Sequence, residues 1–344
     1  MSKPLNEAPE NGQYDDTILD SSAISPTDEA GNPIPVTIPI DLAPGIKVIY
    51  TTRLGGLSAG DWGDLNLGGK SGDNPATVKT NRMELAKAVG APLSLVAQVH
   101  SGKAVDVDGF FECNAPYGCD FSGTIIGSGD DDGPKAYPRL DADAEVTTQK
   151  GIALGMFAAD CLPVLLADSE AGVIGAAHCG RKGLQRGVIG AAVELMVAKG
   201  AKPERIVATL GPCICGDCYE VGDEIADEFD AQFPGTFTLT RFGGPGIDIA
   251  KAALQELAEA GIPADNVISS TPRVSAATQY LDQDAELAAL CAADGEGSPD
   301  LAERIGEVRH SLCTLENPLW YSHRRAALAH KAHEGRLLAL IVRE

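Results

Sequence analysis

The chain has 344 residues, with 27 Lys and Arg against 49 Asp and Glu, a formal charge of −22, and 44% hydrophobic residues. So acidic a surface repels phosphate backbones, which argues against a nucleic-acid binder, and no apolar run approaches the roughly 18 uncharged residues of a membrane span. The opening segment has no basic stretch followed by an apolar one, and nine cysteines without such a leader suit a reducing compartment, so a cytoplasmic protein is expected.

Residues 1–38 are polar, rich in Pro, Asn, Asp and Ser, and without periodicity, which predicts a disordered extension ahead of a single domain over 39–344. A strand is expected through Lys47-Val-Ile-Tyr50. Asn74 before Pro75 signals a helix start, and Val78, Arg82, Leu85 and Val89 follow at helical spacing as far as Gly90. Residues 94–107 alternate as a strand pair, 143–147 and 152–157 read as strands, and 163–167 with 173–177 as a hairpin around Ser169-Glu-Ala-Gly172. One helix is expected over about 184–199, a strand over 206–210, and a further helix capped by Asp248 and ended by Gly261. Two stretches read as insertions: 109–138, a long surface loop with the acidic run Asp130-Asp-Asp132, and 270–310, with an exposed helix near 285–291. His330 and His333 stand at i, i+3, on what reads as an exposed helix face.

Chemistry points to three other residues. His100 ends Ala97-Gln-Val-His and is followed by Ser101-Gly102; His178 ends Val173-Ile-Gly-Ala-Ala-His and is followed by Cys179-Gly180. An apolar strand that delivers a titratable residue into a glycine-bearing turn puts it in a cleft on rigid support. Between them Asp160-Cys161 breaks an apolar segment. Imidazole and thiolate both suit zinc and copper, and two histidines with one cysteine leave a fourth position open for solvent, the catalytic arrangement. Cys161 stands 61 residues after His100 and 17 before His178, which matches no short metal pattern. The residues alone therefore leave three readings open: a metal site, a cysteine nucleophile activated by histidine as in a cysteine hydrolase, and ordinary core residues. Cys213-Ile-Cys-Gly-Asp-Cys218 reads as plain thiols, with a structural zinc as the alternative if a further ligand comes near.

A series of fragments in one order carries more weight. Thr51-Thr-Arg-Leu-Gly-Gly56, Leu65-Asn-Leu67, Gly72-Asp73, Asn81-Arg82, Gln98-Val-His100, Asp143-Ala144, Ala159-Asp-Cys161, Ala177-His178, Gly211-Pro212, Tyr219-Glu-Val221, Cys313-Thr314 and Ser322-His-Arg-Arg325 together resemble the laccase-domain family, also called the multicopper polyphenol oxidoreductase or purine nucleoside phosphorylase family. The resemblance implies an α+β fold, a compact layered domain with mixed β-sheets flanked by helices. It implies zinc, with copper as the alternative, held by His100, Cys161 and His178. It implies phosphorolysis of the small molecules adenosine, inosine, guanosine and methylthioadenosine, together with adenosine deamination. The oligomeric state is left open by the sequence, with a monomer expected. A copper-dependent polyphenol oxidase is the competing activity, and a non-catalytic metal scaffold the third reading. Asp143 and Asp160 are the candidates for acid–base work or for orienting the ligands. Arg53, beside Gly55-Gly56, is the first candidate for phosphate, followed by Lys182, with Asn66 as a further substrate contact. After His178 this chain carries Cys179-Gly-Arg181-Lys182 where the family has an aromatic residue and an arginine.

Overall fold

The structure, a computed structural model, describes residues 28, 30–110, 114–123 and 139–344. Most of the expected N-terminal extension and the run Asp130-Asp-Asp132 lie outside these residues. In chain order the elements are β1 (Thr37–Ala43), β2 (Ile46–Thr51), α1 (Pro75–Val89), β3 (Leu93–Val96), β4 (Ala104–Asp106), β5 (Gly118–Phe121), β6 (Ala144–Thr147), β7 (Ala153–Ala158), β8 (Leu162–Asp168), β9 (Val173–Cys179), α2 (Arg181–Gln185), α3 (Val188–Ala198) and β10 (Val207–Leu210). There follow α4 (Asp223–Gln232), β11 (Phe237–Leu239), β12 (Pro245–Ile247), α5 (Ile249–Glu259), α6 (Thr271–Tyr280), α7 (Ala285–Asp294), α8 (Leu301–Gly306), α9 (His323–Leu328) and β13 (Leu337–Arg343).

The first sheet runs β1-β2-β13-β7-β3-β5 and the second β10-β8-β9-β6-β4, with β11 and β12 forming a small ribbon. Both large sheets are mixed: β3 lies parallel to β5 and β7, β4 lies parallel to β6, and the other pairs are antiparallel. The layers follow from strand alternation. In β8, Leu162, Val164 and Leu166 join the core shared with α3 and α5, while Leu165 and Ala167 face the first sheet. Every residue of β8 and β9 is buried because both of their faces are covered. On the outer face of the first sheet Val78 and Leu85 of α1 pack against Leu93, Leu95 and Leu340. The result is helix, sheet, sheet, helix, the α+β layering expected.

Several local signals act as read. Asn74 Oδ1 accepts from Ala76 N–H, and Gly90 closes α1 at φ 71, a left-handed conformation that glycine enters without strain. Asp248 caps α5 through Lys251 N–H, and the turn between β8 and β9 is tied by Asp168 Oδ1 to the N–H groups of Glu170 and Ala171.

Other expectations are corrected. Val36 already exchanges backbone hydrogen bonds with Leu54 and Thr52, so order begins before residue 38. The 94–107 pair is no pair: β3 belongs to the first sheet and β4 to the second, because the chain leaves one to reach the other through the loop that carries His100. The helix expected over 184–199 is broken at Gly187, whose φ of 72 divides α2 from α3. Residues 109–138 include β5, buried at the edge of the first sheet, where Asp120 pairs with Arg82 at 2.8 Å. His330 and His333 lie beyond the end of α9, and His333 stacks on Trp62 with ring centroids 4.8 Å apart.

The segment 270–310 is the largest departure. Leu287, Leu290 and Cys291 share one face of α7 and pack into the core, so only the opposite face of this helix is exposed. At its end Asp294 receives both terminal nitrogens of Arg53, at 2.8 and 3.0 Å, and is also approached by Arg304 and Arg325, each at 3.3 Å. Burial disfavours the Asp294 charge, but Arg325 and Arg53 outweigh it and hold the carboxyl well below its usual range. Breaking a buried ion pair leaves the partner charges uncompensated. Asp294→Ala is therefore expected to lower stability by about 3–5 kcal/mol, read as a shift in the urea midpoint.

Candidate metal centre

The centre lies where three chain segments meet between the sheets. The chain crosses from β7 in the first sheet to β8 in the second through Ala159-Asp160-Cys161. β9 runs antiparallel to β8, with Leu162 opposite Cys179 and Pro163 opposite His178. This register sets Gly180 beside Cys161, where a Cβ would fall 2.8 Å from Cys161 Sγ and 3.2 Å from His100 Cδ2, so a side chain here would displace the two candidate ligands. His100 arrives in the loop after β3. Its ring and that of His178 stand edge-on, with centroids 4.9 Å apart, and its Nε2 lies 3.8 Å from Cys161 Sγ. One ligand atom from each of His100, Cys161 and His178 lies within 4.8 Å of the others, close enough for one ion to contract upon. The donor set, two imidazoles and a thiolate, fits zinc or copper.

Asp143 and Asp160 hold these ligands in place. Asp143, just ahead of β6, is fully buried; it accepts from the backbone N–H groups of Val99, His100 and Ser101, from the Ser101 hydroxyl, and from His178 Nδ1 at 2.9 Å. With Nδ1 so engaged, His178 Nε2 is left to face the ligand position. Asp160 has both oxygens engaged at 2.7 Å, by Thr314 Oγ1 and by Arg324 N–H. His100 and Asp160 adopt positive φ, 58 and 102, uncommon for residues with a Cβ and frequent at functional sites.

Electrostatics follows from this packing. Burial would push the Cys161 thiol up, but the His178 charge and the bond from His100 bring it down to about 6. Burial likewise opposes charge on His178, while Cys161 and Asp143 raise it to about 9. Burial also disfavours the Asp143 carboxylate, yet hydrogen bonds from His178 and Ser101 hold it down at about 2. Between these limits the metal-free centre is a thiolate beside an imidazolium above an ionised aspartate.

A cavity of about 520 Å³ opens over the centre, bordered by Gln98, Phe157, Asp160, Cys161, His178 and Tyr219 and by the cations Lys70, Arg324 and Arg336. Arg324 donates to Glu220 O at 2.8 Å and lies 5.7 Å from the Tyr219 ring centroid. His323, also at the cavity, bonds Glu334 at 3.0 Å, which raises its pKa.

Residues 47–281 match the family model described as multi-copper polyphenol oxidoreductase laccase. The chain belongs to that family. Purine nucleoside phosphorylase ORF3 of Streptomyces griseus is 43% identical over 216 residues, 62% of this chain and 79% of the relative. Adenosine deaminase RL5, from an unknown prokaryotic organism, is 33% identical over 235 residues, 66% of this chain and 83% of the relative. The crystal structure of YlmD from Geobacillus stearothermophilus shares the fold, with a TM-score of 0.64 at 23% identity over 93% of this chain and 99% of that one.

In this laccase-family chain, three of the expected anion and substrate contacts fall elsewhere. Arg53 is buried against Asp294 and does not border the cavity, because a guanidinium fits that interior only when paired. Lys182 is exposed on α2, also away from the cavity border. Asn66 is buried under the cavity rim; its Oδ1 accepts from Gly68 N–H and Arg336 N–H, so it shapes the rim that carries Lys70 and Arg336. Sequence reasoning did not single out Lys70, Tyr219, His323 or Arg336 as cavity residues. The signal for Lys70 was the Gly68-Gly-Lys-Ser71 composition, small residues around a cation; Arg336 carried none.

Stripped of metal, Cys161 should react with iodoacetamide at a rate that rises with pH through a midpoint of about 6. His178→Ala removes the imidazolium and should move that midpoint upward, towards the about 8.5 of an ordinary thiol. Peptide mass spectrometry at Cys161 reads both, and a midpoint unmoved by the substitution would refute the pairing.

Proposed function

We propose that the chain is a metal-dependent purine nucleoside phosphorylase, acting on adenosine, inosine, guanosine and methylthioadenosine, with adenosine deaminase activity, and that zinc is the ion. The observation that carries this reading is the three-ligand centre opening into a cavity of nucleoside size, with an aromatic wall and a cationic rim. The names carried by its relatives point the same way.

The reaction forms a bond from a phosphate oxygen to the anomeric carbon while the bond to the purine nitrogen breaks and the leaving base takes a proton. In an envelope of charge −22 the phosphate needs a local positive patch. We assign that patch to Arg324 and Lys70, with Arg336 beside them. Tyr219 and Phe157 offer aromatic faces to the purine. His323, whose protonated form Glu334 favours, is assigned proton delivery to the base. Asp143 and Asp160 act as positioning residues, because hydrogen bonds engage both of their carboxylates. A bound divalent ion supplies Lewis acidity that polarises an oxygen and eases loss of its proton.

Copper oxidase chemistry is the competing reading, since the same donors accept copper. A multi-copper centre needs more ligands than these three, and among the described residues no methionine borders the cavity to supply an axial thioether. Incubation with inosine and phosphate should yield hypoxanthine and ribose 1-phosphate, with activity lost to a chelator and regained with zinc. Hypoxanthine formed equally well without phosphate, or phenol oxidation by copper-loaded protein that ignores nucleosides, would overturn the reading. Arg324→Ala should raise the KM for phosphate about tenfold or more, the loss of a charge-assisted contact. His323→Ala should lower kcat about 10²-fold or more and flatten the pH profile on its alkaline side.

A further inference from the structure

Beyond this cavity, the turn at 213–218 carries three cysteines that the proposed reaction does not use. Cys215 and Cys218 enclose Gly216-Asp217 in a tight knuckle, with the N–H groups of Cys218 and Tyr219 both donating to Cys215 O at 3.0 Å. A parallel bridge between Cys213 and Cys313 lays a distant segment alongside, fixed by Cys213 N–H to Leu312 O and Thr314 N–H to Cys213 O, each at 3.0 Å. That segment delivers Cys313 and Glu316. The ligand atoms of Cys215, Cys218, Cys313 and Glu316 all lie within 4.8 Å of one another. Glu316 Oε1 is 3.8 Å from Cys215 Sγ and 3.5 Å from Cys218 Sγ. A tetrahedral zinc with bonds of ~2.3 Å to sulfur and ~2.0 Å to oxygen separates its ligands by about 3.5–3.8 Å.

The carboxylate is a second, independent pointer. Glu316 is only 7% exposed, and its Oε2 accepts from the N–H groups of Arg309 and His310 at 3.0 and 2.9 Å. Its orientation is thereby set, with Oε1 aimed at the thiols. Both thiols donate to Oε1, and their protons are the ones a bound cation would displace. Cys215 N–H also donates to Cys313 Sγ at 3.4 Å, which fixes that sulfur beside the knuckle.

We propose that Cys215, Cys218, Cys313 and Glu316 hold a structural zinc ion, separate from the ion at His100, Cys161 and His178. All four positions come from the chain, so the site is closed to solvent ligands, as structural zinc requires. Three thiolates exclude the hard cations magnesium and calcium. Loading releases the protons of the three thiols. The ion ties 213–218 to 313–316, and each segment bonds Asp160: Ile214 N–H to its carbonyl at 3.0 Å and Thr314 Oγ1 to its carboxylate at 2.7 Å. The second ion therefore braces the corner that presents Cys161.

Metal analysis and X-ray absorption test this without substrate. A His100→Ala/His178→Ala double variant loses the first centre but should keep one zinc per chain, with three sulfurs and one light atom around it. A double variant devoid of zinc, or one whose zinc shows no sulfur-rich shell, overturns the proposal. So does a disulfide joining any two of the three cysteines in reduced, zinc-supplied protein. In the otherwise unaltered chain, Cys313→Ser should reduce zinc from two per chain to one. Should that variant not fold, Glu316→Gln keeps the shape and should speed release of one of the two ions to a chelator about tenfold or more; two ions released at unaltered rates would refute the site.

Discussion

One buried carboxylate holds the first centre together. Asp143 sits at the head of β6 in the second sheet, yet it binds the backbone of 99–101, which issues from β3 in the first. The same group receives His178 Nδ1, so it joins the two sheets and turns one imidazole towards the ligand position in a single contact set. Left-handed backbone at a residue with a Cβ costs of order 1–3 kcal/mol and persists only where surrounding structure over-determines it. At His100 the surrounding structure is Asp143, together with Arg186, which donates to the His100 carbonyl. At Asp160 it is Thr314, Arg324 and Ile214.

Two groups of three cations have opposite tasks. Arg53, Arg304 and Arg325 surround Asp294 in the interior, where burial lowers the Arg325 pKa to about 10. Lys70, Arg324 and Arg336 border the cavity, where solvent and ligand can reach them. Arg324 and Arg325 are neighbours in sequence on α9 but project in different directions, one to the cavity and one to the core.

How much of this was legible in the chain depends on the range of the forces involved. Caps and stops such as Asn74, Gly90 and Asp248 act within a few residues, so their signal is local. The β8–β9 hairpin was legible for the same reason, its turn being written in four residues. The histidines and cysteine of the centre stood out because each interrupts or ends an apolar run; the ordered fragments then tied them to a family. Arg53 was misread because its partner, Asp294, lies 241 residues away in a stretch that looks like polar insertion. The partition of β3 and β4 between two sheets was illegible because alternation reports which face is buried, not which sheet. Cys215 and Cys218 were visible as a pair, but the residues that complete their cluster come about a hundred positions later.

The position of β13 has a consequence for biogenesis. It lies between β2 and β7 in the middle of the first sheet, paired with both. Until residues 337–343 leave the ribosome, β2 and β7 present unpaired edges to solvent or to each other. Such late, long-range closure makes for slow maturation and a nascent chain exposed to aggregation. Cys161 follows directly on β7, so the corner that carries it is also held in place only once β13 has docked.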